Sequence, residues 1–231
     1  MRAVGIVAAA GSGLRLGAVL PKALVPLGGR PLVCWAVDSL RAGGVAEVVV
    51  AVPAPQQAAF AAALPDDVHV VVGGGTRTAS VRAALAAARE HAPVDERTAV
   101  LVHDAARPLT PPAVVARVLT ALADGAAAVV PVLPVVDTTV TVDDDGLIAA
   151  DLPRAALRRV QTPQGFDRAT LVAAYGRADG AAAEFTDDAS VVRAAGVRVH
   201  TVAGDERAAK ITVAHDLALA ELQVRAEGAR S

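Results

Sequence analysis

Aromatic side chains are nearly missing from this chain: one Trp, one Tyr and three Phe make up 2% of 231 residues. Successive nucleobases stack on aromatic platforms, so a single-stranded nucleic acid is not an expected partner. A basic field is missing too: the net charge is −2, which does not advertise nucleic acid. The one cysteine, Cys34, excludes an internal disulfide and a Cys-based metal cluster. It is expected to be a small buried apolar residue, compatible with a reducing cytoplasm. Although 54% of residues are hydrophobic, polar residues break every apolar run before membrane-spanning length. A strand is expected almost at the N-terminus, so no leader peptide is expected there. Histidines 69, 91, 103, 200 and 215 lack metal-ligand spacing. His103 falls inside an expected strand and reads as a satisfied sheet histidine. Ser12 and Ser80 lack a His/Asp partner pattern, and no G-x-S-x-G elbow occurs.

What is present centres on Ala8-Ala9-Ala10-Gly11-Ser12-Gly13-Leu14-Arg15-Leu16-Gly17, continuing to Pro21-Lys22. Gly5 to Ala10 reads as a buried strand, and the glycines then let the backbone turn tightly beside a ligand. Arg15 and Lys22 follow within one loop, an arrangement suited to a polyphosphate. A P-loop is not matched, because no Lys-Ser or Lys-Thr follows Gly17. The G-x-G-x-x-G dinucleotide fingerprint fails as well, its third glycine arriving one residue late. A plain strand-to-helix turn is the alternative reading of the glycines.

Helices are expected at Pro31–Ala42, Pro55–Leu64, from Ser80 to about His91, Pro111–Ala123, Asp167–Ala178 and Val213–Glu227, with another starting at Thr186 or Asp187. Strands are expected at Glu47–Ala51, Val68–Val72, Thr98–His103, Ala126–Val132 and Val197–Val202, with Lys210-Ile211-Thr212 returning to the sheet. This alternation predicts one α/β domain over 1–231, a doubly wound, mostly parallel Rossmann-like sheet. The pattern breaks after Val132. Val135–Val142, the turn Asp143-Asp144-Asp145-Gly146 and Leu147–Ala150 read as a protruding β-hairpin arm. Its exposed edges need covering, by a partner subunit or by its own domain.

The suggestive residues follow the carboxyl ends of expected strands, where open parallel sheets bind ligands. Arg15, Lys22, Arg107, Arg154 and Lys210 suit the neutralisation of phosphates, while Asp104 and Asp205 suit Mg2+ or another divalent cation. This set points to phosphoryl or nucleotidyl transfer.

The segments AAAGSGLRLGAVLPKALVPLGGRPL, GGGTRTASV, VHDAARP, PVVDTT, QTPQGF, FTDDASVV and AGDERAAKIT stand in an order that resembles the 2-C-methyl-D-erythritol 4-phosphate cytidylyltransferase family nearly end to end. The resemblance implies a glycosyltransferase-A-like (nucleotide-diphospho-sugar transferase) fold and a homodimer whose arm is residues 137–160. It implies a reaction of CTP with a polyol phosphate, releasing pyrophosphate in non-mevalonate isoprenoid biosynthesis. By position it assigns Arg15 and Lys22 to the triphosphate, with Ala9, Ala10, Gly11, Gly13 and Ala105 also at the nucleotide. Gly74, Gly75 and Ser80 would read the cytosine. Asp104 would bind metal or substrate, and Arg107 would help form the substrate side. Thr162, Thr186 and Lys210 would line the polyol phosphate pocket, and Thr138 and Arg154 would come from the partner's arm. Asp205 is the second candidate metal ligand. The chain departs from the family pattern at Ala23, Gly75 and Ala208, where Gln, an acid and Asn are common. Two alternatives stay open: transfer to ribitol 5-phosphate, and a nucleotide-binding regulatory protein without turnover.

Overall fold

The computed structural model describes residues 1–10, 20–91, 98–178 and 185–228. The expected phosphate-loop residues Gly11, Gly13 and Arg15 lie outside them.

In chain order the described elements are β1 (Arg2–Ala8), β2 (Pro26–Leu27), β3 (Arg30–Pro31), α1 (Leu32–Ala42), β4 (Glu47–Val52), α2 (Gln57–Ala63), β5 (His69–Val72), α3 (Arg77–His91), β6 (Thr98–Asp104), α4 (Pro112–Ala123), β7 (Ala128–Pro134), β8 (Thr139–Val142), β9 (Ile148–Leu152), β10 (Arg158–Val160), β11 (Gln164–Asp167), α5 (Arg168–Arg177), α6 (Asp188–Ala194), β12 (His200–Ala203) and α7 (Ala214–Gly228). Short 3-10 turns occupy Lys22–Leu24, Ala54–Gln56, Arg154–Ala156 and Glu206–Ala208.

The main sheet has eight strands. β6, β1, β4 and β5 run parallel side by side, and β12 runs parallel to β7. Period-two alternation along each strand sends side chains to opposite faces. On β1, Val4 and Ile6 pack against α3 and α5, while Ala3 and Val7 join the core around α1 and α4. β4 divides likewise, with Val49 and Ala51 on one face and Val48, Val50 and Val52 on the other. Helices therefore cover both faces, as the doubly wound reading requires. Cys34 is buried as expected, its thiol donating to the Ala63 carbonyl at 3.2 Å.

Four features differ from the sequence expectation. Arg158–Val160, at the end of the expected arm 137–160, forms β10 and pairs antiparallel with β7 in the main sheet. The first strand begins at Arg2 rather than Gly5. Gln164–Asp167 carries no strand signal, yet β11 inserts antiparallel between β6 and β7. Lys210-Ile211-Thr212 does not return to the sheet: Ile211 makes one backbone bond, to the Ala106 carbonyl at 2.8 Å, and buries its side chain beside Leu27 and Leu32. The hairpin is present as a separate pair, β8 with β9, and Val142, Leu147 and Ile148 are exposed.

The β11 insertion is tight. A Cβ on Gly165 would collide with Val118 Cγ1 and stand 2.9 Å from Leu122 Cδ1, both on α4. Gly165→Ala should therefore cost about 1–3 kcal/mol by overpacking. Urea denaturation measures it; an unchanged midpoint would show that α4 yields freely.

Candidate active site

β1 and β6 are neighbours whose connections lead to opposite edges of the sheet, from β1 to β4 and from β6 to β7, and open sheets take ligands in the crevice at such a point. Because β11 runs antiparallel, its beginning lies at the same edge as the end of β6, with Gln164 opposite Val102. A cavity of about 200 Å3 opens there. Asp104, Arg107, Thr162, Thr186 and Lys210, gathered from widely separated segments, all line it. Arg77, Gln161, Gln164 and Asp187 line it too; the sequence names none of these four as a site residue, Asp187 being expected only at a helix start, which it caps.

Asp104 is the centre of charge. Lys210 Nζ donates to its Oδ2 at 2.9 Å, Arg107 Nε stands 3.8 Å from the same oxygen, and Arg77 Nη2 reaches Oδ1 at 3.4 Å. Burial opposes ionisation of this carboxyl, but Arg77, Lys210 and Arg107 outweigh it and hold it well below the usual carboxylate range.

The strand-end backbone is fixed by His103, fully buried one residue earlier. Its Nε2 lies 3.2 Å from the Arg107 carbonyl, which can only accept, so Nε2 carries the proton. Nδ1 then accepts from the Thr162 hydroxyl at 2.9 Å, and Thr162 Oγ1 accepts from the Asp104 N–H at 3.0 Å. The Thr162 proton is thus committed inside the protein. Thr162 lines the cavity and fixes the Asp104 backbone at the same time.

Two glutamines clamp the remaining walls. Gln161 exchanges hydrogen bonds with the Asp205 backbone, accepting from its N–H at 3.0 Å and donating to its carbonyl at 2.8 Å. A Cβ on Gly204 would collide with the Gln161 amide, so glycine is required for this approach. Gln164 donates to Asp187 at 2.8 Å and accepts from the Ala189 N–H at 2.9 Å, holding the start of α6 beside Thr186. Ala208, one of the departures from the family pattern, is fully buried, and its carbonyl accepts from Arg107 Nη1 at 2.7 Å. The backbone alone ties this loop to Arg107.

The turn after β5 is closed by Ser80. Its buried hydroxyl reaches the carbonyls of Thr76 at 2.9 Å and Gly74 at 3.2 Å. A Cβ on Gly73 would stand 2.7 Å from Ser80 Oγ and 3.2 Å from the Ala10 Cβ, and one on Gly74 would collide with Ala79. Gly73 thus lets this loop approach the end of β1. Gly75 would meet nothing, so its missing side chain leaves open space. Ala9 and Ala105 are buried just past the ends of β1 and β6, their N–H groups donating to the carbonyls of Ala51 and Ala8.

The other expected residues lie apart. Lys22 opens the 3-10 turn at Lys22–Leu24 and contributes to the lowered pKa of Asp216, which is set first by the Val213 and Thr212 amides. Thr138 and Arg154 are exposed at the root of the hairpin, where Arg154 donates to the Val136 carbonyl at 2.9 Å. Neither lines the cavity of its own chain. Asp205 caps the turn Glu206–Ala208 and pairs with Arg207 at 3.3 Å, also outside the cavity lining.

That donor set does not fit a resident metal. Asp104 faces three cations, Asp205 faces its own arginine, and no group of three His, Cys, Asp or Glu converges among the described residues. A divalent cation that brings phosphate ligands of its own needs only one or two protein carboxylates.

The family model described as 2-C-methyl-D-erythritol 4-phosphate cytidylyltransferase matches residues 3–226. The chain belongs to that family. The cytidylyltransferase of Nocardia farcinica is 53% identical over 221 residues, covering 94% of this chain and 92% of its own. That of Saccharopolyspora erythraea is 52% identical over 225 residues, covering 96% and 98%. The crystal structure of the Thermus thermophilus cytidylyltransferase superposes with a TM-score of 0.80 at 39% identity, covering 97% of this chain and all of that one. The cytidylyltransferase segments quoted from the sequence meet at one sheet edge: VHDAARP supplies Asp104 and Arg107, QTPQGF supplies Thr162, FTDDASVV supplies Thr186, and AGDERAAKIT supplies Lys210.

Burial pushes His103 down to about 4, with Asp104 pulling the other way. An unfolded histidine titrates near 6.5, so the unfolded chain binds more protons between these values. The His103 contribution is complete above about pH 6.5 and is lost as pH falls toward 4, roughly 3 kcal/mol in all. Urea denaturation at pH 7 and pH 4.5 should show a smaller loss in His103→Gln than in the wild type. Equal losses would assign the slope to other groups.

Proposed function

We propose that this chain joins CTP to 2-C-methyl-D-erythritol 4-phosphate, forming 4-diphosphocytidyl-2-C-methyl-D-erythritol and pyrophosphate in non-mevalonate isoprenoid biosynthesis. The observation that carries this reading is the family match over residues 3–226, whose motif residues converge on one cation-rich cavity. The attacking group is an oxygen of the polyol phosphate. It forms a bond to the α-phosphorus of CTP, and the bond from that phosphorus to the bridging oxygen breaks as pyrophosphate leaves. A phosphate monoester with a second pKa of about 6 is already mostly dianionic at pH 7, so positioning and charge neutralisation matter more than a general base.

In this reading the Gly73–Ser80 loop takes the cytosine, through Gly74, Gly75 and Ser80, beside Ala9, Ala10 and Ala105. Arg15 and Lys22 take the triphosphate, with the backbone of Gly11 and Gly13. Asp104 accepts polyol hydroxyls, while Arg107, Thr186 and Lys210 bound the phosphate side. The composition supports the two lysines in these roles: among 22 cationic side chains, Lys22 and Lys210 are the chain's only lysines. Mg2+ or another divalent cation would enter with the nucleotide and draw charge from its phosphates, Asp104 and Asp187 being the carboxylates in the cavity wall. Asp205 could join it only by releasing Arg207. The exposed apolar residues Val142, Leu147 and Ile148 support a homodimer in which residues 137–160 form the arm. Thr138 and Arg154 would then complete the partner's site. A single buried cysteine is compatible with a cytoplasmic enzyme.

The direct assay incubates the protein with CTP, Mg2+ and a polyol phosphate and measures pyrophosphate. Release is expected with the methylerythritol substrate and not with ribitol 5-phosphate. Lys22→Ala and Arg154→Ala should each be nearly inactive, Lys22→Ala losing about 10²–10³ in turnover by analogy with removal of an oxyanion donor. Mixed heterodimers should recover activity, since one of their two sites keeps both residues. Verified heterodimers without recovery would mean that Arg154 serves its own chain.

A further inference from the structure

Arg77 stands in the cavity wall without a part in the reaction described above. It is the first residue of α3, directly after the glycine loop, and the residue of that loop region that lines the cavity. Its Nη1 pairs with Asp188 Oδ2 at 2.6 Å, and its Nη2 reaches Asp104 Oδ1 at 3.4 Å. Asp188 is fully buried, and its Oδ1 accepts from the Tyr175 hydroxyl at 2.6 Å. The planar guanidinium fork can face two carboxylates at once, which a lysine ammonium does less well.

The other two cations meet Asp104 at Oδ2 and differ in their freedom. Lys210 is 46% exposed, a mobile point charge able to turn toward an incoming anion. Once it turns, the buried Asp104 carboxylate loses its nearest counter-ion. Arg77 cannot follow, because leaving would strand Asp188 as an unpaired buried charge.

We propose that Arg77, pinned by Asp188, is a positioning residue that holds Asp104 from the α3 side while Lys210 turns to the phosphate of the polyol substrate. The proposal rests on the cytidylyltransferase reading of the cavity. It makes the polyol half of the site depend on a side chain of the loop that takes the base.

The test is steady-state kinetics of Arg77→Lys, Asp104→Asn and the double variant, with KM for each substrate and kcat. Arg77→Lys should raise KM for the polyol phosphate about tenfold or more, the scale of a lost charge-assisted contact, while KM for CTP stays within about twofold. In the Asp104→Asn background the same substitution should add almost nothing, because its route of action is gone. Equal rises in both KM values, or fully additive losses, would overturn the proposal. Asp188→Asn keeps an acceptor for Tyr175 but removes the pinning charge, so it covers the case in which Arg77→Lys fails to fold. A folded Asp188→Asn with unchanged KM for the polyol phosphate would also overturn it. Wild-type turnover separates the two readings: its absence overturns the cytidylyltransferase assignment, and its presence with unaltered variants overturns the role of Arg77 alone.

Discussion

One buried carboxylate, Asp104, shares its two oxygens among Arg77, Arg107 and Lys210, and the site is arranged around that contact. A carboxylate withdrawn from water is costly unless it is paired, and its pairing here draws on three distant parts of the chain. Arg77 comes with α3, Arg107 with the turn after β6, and Lys210 with the segment before α7. Each of those parts has an anchor of its own. Asp188 holds Arg77, the Ala208 carbonyl holds Arg107, and Gln161 holds the loop that leads to Lys210. The charge cluster and the fold therefore constrain one another.

The same arrangement leaves one cation within reach of an anion. Arg77 is committed to Asp188 as well as to Asp104, while Lys210 is the most exposed of the three cations around Asp104. Thr162 and His103 spend their hydrogen-bonding capacity on each other and on the backbone of Asp104 and Arg107, so they stiffen the floor of the cavity. The resident groups thus favour binding and orientation of phosphates over proton transfer. That matches a displacement whose attacking oxygen is already anionic.

The parallel half of the sheet is legible in the sequence because β1, β4 and β6 are apolar runs separated by amphipathic or alanine-rich helices. β11 is not. Gln164, Gly165 and Phe166 are a poor strand sequence by propensity, and only the gap between β6 and β7 makes them one. Lys210-Ile211-Thr212 misleads in the opposite sense: its β-branched residues suggest a strand, yet the buried Ile211 serves a small core with Leu27 and Leu32. Asp104, Arg107, Thr162, Thr186 and Lys210 are expected at the site from the sequence and line one cavity. Arg77, Gln161 and Gln164 escape a reading of the sequence because their partners, Asp188, Asp205 and Asp187, are distant along the chain. The available signal is the glutamine pair around Thr162-Pro163, polar residues in a segment that the sheet then buries.

The most direct test of this account is a crystal structure of the protein with 4-diphosphocytidyl-2-C-methyl-D-erythritol bound. The account predicts the polyol between Asp104, Thr186 and Lys210, the cytosine against residues 73–80, and Arg77 still paired with Asp188. A polyol bound elsewhere, with the Asp104 cluster unchanged and closed, would contradict it.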